Sequence, residues 1–101
     1  MILYNVTCNV ENSIREDWMD WMKNIHIPEV METGLFTDNK FYHILIEEQN
    51  DTTTFSVQYF AKSLNDIDNY LQNHAPDLQK KHMDRYDSRA VAFRTVMQEI
   101  L

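Results

Sequence analysis

Glycine is almost absent from this chain: Gly34 is the one instance in 101 residues. A Walker loop and a G-x-G-x-x-G turn each need several residues whose backbone can approach phosphate, so both cradles are excluded. Cysteine is equally scarce. Cys8 alone closes no internal disulfide and builds no thiolate zinc site unaided, which suits a reducing compartment and reads as a small buried hydrophobe on a strand. Positive charge is short as well, with 9 Lys and Arg against 16 Asp and Glu and a formal net charge of −7. That field repels phosphate backbones, and the patch Lys80-Lys81 with Arg85 reads as a solvated helix end, so nucleic acid is not expected as a partner. Long apolar runs are missing too: nothing approaches the roughly 18 residues of a membrane span. The start, Met1-Ile2-Leu3-Tyr4-Asn5, lacks the basic flank of a signal peptide. A cytoplasmic protein with no membrane partner is the expectation. Also missing are His-Glu-x-x-His, Gly-x-Ser-x-Gly and Cys-x-x-Cys, the signatures of zincins, serine hydrolases and zinc ribbons.

What is present is a local grammar written twice. Asn9-Val10 leads through Ser13-Ile14-Arg15-Glu16 into an amphipathic stretch that stops at His26-Ile27-Pro28-Glu29-Val30. Tyr59-Phe60 leads through Ser63-Leu64-Asn65-Asp66 into another, which stops at His74-Ala75-Pro76-Asp77-Leu78. Each copy reads strand, capping residue, helix, and each is followed at some distance by a further β-type stretch. Two such halves make a ferredoxin-like βαββαβ domain of the α+β class, here one domain over residues 1–101.

Residues 2–10 alternate, with Ile2, Tyr4, Val6, Cys8 and Val10 opposed to Asn5, Thr7 and Asn9. Ser13 with Glu16 has the form of a capping box for a helix over 13–26, carrying Ile14, Trp18, Trp21 or Met22, and Ile25 inward. Pro28 predicts a break at Ile27, and Gly34 a left-handed helix end. The β-formers between Leu35 and Glu48, Ile46 among them, then the polar stretch Glu47 to Thr53 with its Asn50-Asp51 pair, then Thr54 to Ala61, predict a hairpin. Ser63 opens a second helix with the stripe Leu64, Ile67, Leu71, His74 and Leu78, and Ala90 to Val96 supplies the last strand. Two helices on one face of a four-stranded antiparallel sheet bury these stripes. The other face is expected to display Asn5, Thr7, Ser56, Gln58 and Arg94 beside Leu3, Phe60 and Val96, a mixture suited to pairing two sheets as a dimeric α/β barrel.

The ligand-binding candidates follow from that face. Arg94 is a lone cation in an apolar strand, where an unpaired buried charge costs several kcal/mol; it must be exposed, paired with a carboxylate, or holding a ligand. His43, on the second strand, would join Arg94, Asn5 and Gln58 around an anion or carbonyl if it points to the polar face. His26 and His74 read as capping or packing residues at helix ends, with His26 the one that could reach a pocket as acid, base or ligand. His82 reads as solvated. The four histidines are spaced by 17, 31 and 8 residues, placing no two on one helical turn, so neither metal nor cofactor is assigned. Trp18, Met19, Trp21 and Met22 read as core, with one tryptophan available to line a dimer or ligand surface.

Several stretches together carry a family resemblance: Tyr4-Asn5-Val6-Thr7, Trp18 to Met22 with His26 to Val30, Thr33-Gly34-Leu35-Phe36, Ser56-Val57-Gln58-Tyr59, His74-Ala75-Pro76 and Val91 to Thr95. Over nearly its whole length the chain resembles a family of roughly hundred-residue bacterial proteins catalogued only as a domain of unknown function. The resemblance implies a ferredoxin-like fold akin to the dimeric α/β-barrel superfamily, whose members include cofactor-free monooxygenases, isomerases and haem-handling proteins. It brings no catalytic residues. The leading expectation is a small cytoplasmic homodimer that binds a small ligand at its open sheet face. The alternative is a dimeric-barrel enzyme, an isomerase or cofactor-independent monooxygenase acting on a small aromatic or carbonyl compound, with haem or metal binding a weaker third.

Overall fold

Strand alternation builds the sheet. In β1 (Ile2–Glu11) the residues Ile2, Tyr4, Cys8 and Val10 are buried and Val6 packs against them, as the pattern requires. The computed structural model describes residues 1–45 and 51–101. β1 lies between β3 (Thr52–Ala61) and β4 (Ala90–Gln98), antiparallel to both, and β2 (Asp38–His43) pairs with β3 on the far edge. The order β2-β3-β1-β4, with the helices on one face, is the ferredoxin-like α+β arrangement. Part of the expected hairpin turn, from Ile46 and Glu47 to Asn50, lies outside the described residues.

The first helical arm departs from its expected form in two ways. A 3₁₀ turn (Asn12–Ile14) precedes α1 (Arg15–Trp21), and Ser13 makes no capping hydrogen bond, so the expected capping box is absent. Nor does Pro28 break the chain at Ile27. The backbone stays right-handed helical through His26 and Ile27, and a π-turn (Met22–His26) leads into α2 (Ile27–Glu32). A proline ring collides with the carbonyl four residues before it and offers no N–H; widening one turn relieves both problems, and here Ile27 N–H bonds the Met22 carbonyl. The wider turn shifts the phase of the apolar stripe. Ile25 swings out to 48% exposure while Ile27 and Val30 are buried and His26 turns inward. Gly34 closes the arm at φ +77°, donating to the Met31 carbonyl, as expected of a left-handed helix end.

The second arm starts as its sequence reads: the Ser63 hydroxyl accepts from the Asp66 N–H and caps α3 (Leu64–Asn73). At His74 the backbone leaves helical geometry, and α4 (Ala75–Tyr86) starts afresh with Pro76 in its first turn. The stripe is therefore not continuous. Ile67, Tyr70, Ala75, Leu78 and Tyr86 are buried, whereas Leu64 and Leu71 are exposed.

The core centres on aromatic rings. Tyr4, Phe36, Tyr59 and Tyr70 form one cluster with centroids 5.0–6.2 Å apart. Trp18 lies 5.0 Å from Phe55 and 5.8 Å from Phe41. Both tryptophans are buried, Trp18 completely. Among the described residues, no helix is long and apolar enough to cross a membrane.

Candidate functional site

The helix face of the sheet is not filled. Tyr4, Val6 and Cys8 of β1, Val57 and Tyr59 of β3, and Ala92 and Arg94 of β4 form the floor of a chamber; Met22, His26, Tyr70, Gln79 and His82 form its roof. Its volume is about 30 Å³, room for a water molecule or two but not for a ring. Beside it, between α4 and β4, runs a groove of about 350 Å³. Gln79, His82, Ala92 and Arg94 line both cavities and form a threshold between them.

Arg94 reaches this position by register. It pairs directly with Val6, and directly opposed residues of an antiparallel pair share a face, so its side chain lies on the helix side with Val6, Cys8 and Ala92. The expected placement of Arg94 and Val96 on the open face is thus reversed. Alternation alone gives two sets of residues, and a shift of one residue exchanges their faces. Arg94 is exposed at the edge strand, and among the described residues no carboxylate lies within ion-pair distance of it.

His82 is not solvated as expected. The buried Trp18 indole Nε1–H donates to its Nε2 at 2.9 Å, and its ring lies 5.8 Å from Trp21 and 5.6 Å from Tyr86. Burial lowers its pKa, and the nearby Arg94 charge lowers it further. His26 stacks on Trp21 at 4.9 Å with its ring 6.1 Å from that of His82. The His26 Nδ1 atom is buried with no hydrogen-bond partner among the described residues. Desolvation, with the charges of His82, Arg94 and Lys81 against a smaller opposite pull from Glu29, brings its pKa down to about 4. His26 is thus neutral at pH 7. The other ionisable groups are held neutral as well: burial pushes the Cys8 thiol up to about 12, and raises Tyr59, Tyr70 and Tyr4. Tyr4 feels an opposite pull from Arg94 and Gln79 beside it. Among the described residues, the one formal charge in the chamber lining is the Arg94 guanidinium.

Of the five candidates, the structure brings His26 and Arg94 together and separates the rest. Asn5 and Gln58 pair across the open face. There the Ser56 hydroxyl donates to Asn5 Oδ1 at 2.6 Å, Asn5 Nδ2 donates to the Thr7 hydroxyl at 3.0 Å and Gln58 Nε2 to the Ser56 hydroxyl at 3.2 Å. His43 pairs with Phe55, 5.4 Å ring to ring, and so sits on the helix side at the exposed β2 edge, outside the chamber. His74 stacks on Tyr70 at 6.4 Å and lines neither cavity. The sequence signal for His82 is the recurrence of Leu78, His82 and Tyr86 at the four-residue spacing of one helix face. Among the described residues, no group of three or more His, Cys, Asp or Glu side chains could hold a metal ion.

No curated protein matches the chain. Solved structures do. An EthD family protein from Bacillus halodurans C-125 is 10% identical with TM-score 0.69, the match covering 99% of this chain and 100% of that one. HapK from Hahella chejuensis is 6% identical with TM-score 0.73, over 99% of this chain and 93% of that one. A Bacillus cereus protein provisionally assigned as an antibiotic biosynthesis monooxygenase is 10% identical with TM-score 0.60, over 99% and 95%. At such identities the likeness is one of fold, the ferredoxin-like type. The family described as Domain of unknown function (DUF4286) matches residues 1–100.

Proposed function

The chain belongs to the DUF4286 family, whose description names no activity, and we propose that it is a small cytoplasmic homodimer that binds a small oxygen-bearing ligand beneath α4. The observation that carries this reading is the threshold: Arg94, free of any carboxylate among the described residues, shares its lining with Gln79 and His82. A guanidinium so placed is a ready partner for an anionic or carbonyl oxygen. The open sheet face serves assembly instead. Its polar centre is satisfied within the chain, and its β4 edge presents Val91, Phe93 and Met97 at 52%, 64% and 41% exposure, an apolar strip that a second copy would cover.

The test is a titration of the whole protein with small carboxylates and phenols, followed by amide chemical shifts. Perturbations are expected at Gln79, His82, Ala92 and Arg94, with affinity falling at least tenfold in Arg94→Gln. Perturbations confined to Asn5, Ser56 and Gln58 would move the site back to the open face. Light scattering tests assembly, and a stable monomer in dilute solution would overturn that half of the proposal.

The unpartnered His26 Nδ1 favours a second reading, a dimeric-barrel enzyme of the isomerase or cofactor-independent monooxygenase kind. Arg94 then holds a developing oxyanion and His26 takes up the proton. Exchange of an enolisable ligand's α-proton with D₂O, lost in His26→Gln, is the outcome that separates reaction from binding.

A further inference from the structure

An indole N–H can only donate, so the Trp18 to His82 bond of 2.9 Å fixes the lone pair of His82 at Nε2. In a neutral imidazole the proton then resides on Nδ1. Trp18 is fully buried, so its N–H has no water to turn to, and protonating His82 at Nε2 would orphan it. The His82 Nδ1–H in turn has no acceptor among the described residues and is not sealed from solvent. His82 and Arg94 both line the threshold, so each of these residues brings an N–H donor to that lining.

His26 is differently placed: it lines the chamber and not the groove. The two cavities also differ in what they admit. The groove, at about 350 Å³, accommodates a planar ring, whereas the chamber, at about 30 Å³, takes only a group the size of a hydroxyl.

Resting on the site proposed above, we infer that Trp18 is a positioning residue that makes His82 a fixed proton donor, and that the ligand class is an aromatic carboxylate with an adjacent hydroxyl. The carboxylate would lie between Arg94 and His82, the ring in the groove, and the hydroxyl in the chamber, where His26 receives it.

Two measurements on the whole protein test this. The first is ¹⁵N chemical shifts of the histidine side chains. His82 is expected as the Nδ1–H tautomer in the wild type and as a mixture in Trp18→Phe, which keeps an aromatic ring in the core but removes the donor. An Nε2–H or imidazolium signature for wild-type His82 at pH 7 would overturn the positioning role without any variant. The second is affinity for salicylate, benzoate and 4-hydroxybenzoate. Salicylate is expected to bind at least tenfold more tightly than the other two, and His26→Phe to abolish that preference. Equal binding of all three, still dependent on Arg94, would overturn the ligand class and leave the threshold site standing. Binding of none of them, or binding indifferent to Arg94→Gln, would overturn both.

Discussion

On the open face of the sheet, Asn5, Thr7, Ser56 and Gln58 answer one another through a chain of hydrogen bonds of 2.6–3.2 Å. On the helix face, by contrast, the polar groups are left partly unanswered. His26 Nδ1 is buried without a partner, and Arg94 has no carboxylate among the described residues. Both faces mix polar and apolar residues; what separates them is satisfaction. A polar group that the chain itself completes asks for nothing further, whereas one kept beside a cavity without a partner retains its capacity for a ligand. Polarity alone singled out the open face, which turns out to be complete.

Removing what holds the helix face together should have the largest consequence. Trp18→Ala takes a fully buried ring from between Phe41, Phe55 and His82 and should cost about 3–5 kcal/mol in urea denaturation, while Phe93→Ser on the open face should change monomer stability by no more than about 0.5 kcal/mol. Similar costs for the two would mean that the faces do not differ as described.

Acid discriminates next. The folded pKa of His26, about 4, lies below the ordinary 6.5, so between those values the unfolded chain holds the extra proton. Stability from this residue is therefore complete above about pH 6.5 and falls as the pH drops toward 4. The loss is at most about 3 kcal/mol, at about 1.4 kcal/mol per pKa unit. Denaturation at pH 7 and pH 4 should show wild type losing more than His26→Gln, and equal losses would mean that the ring is not desolvated.

The open face should yield to charge instead. Phe93→Glu places a carboxylate in the apolar strip of β4 and should raise the dissociation constant of the proposed dimer at least tenfold in sedimentation equilibrium, leaving the circular dichroism spectrum unchanged. The smallest expected effect sharpens the idea of a self-completed network. Asn5→Ala removes one bond from Ser56 and one to Thr7 and should cost about 1 kcal/mol, with no change in ligand affinity at the threshold.

Much of the fold was legible because its signals are local. The alternation of β1, the Ser63 cap and the left-handed Gly34 each depend on a few neighbouring residues, and each stands where the sequence put it. The candidate site was legible only in part. The candidates Arg94, Asn5, Gln58 and His43 were grouped on one face, whereas the structure distributes them over two, because the phase of β4 depends on a pairing with β1 some ninety residues away. His82 was missed because the bond that defines it comes from Trp18, in another helix.

The order of the elements, the ferredoxin-like class and the exclusion of phosphate cradles follow from local sequence, since periodicity, turn chemistry and the lack of glycine act at short range. The tertiary structure decided which sheet face holds Arg94, which way His26 turns and which nitrogen of His82 faces the Trp18 indole. Those depend on strand register, on a turn widened to admit Pro28, and on one buried indole N–H, none of which local pattern can specify.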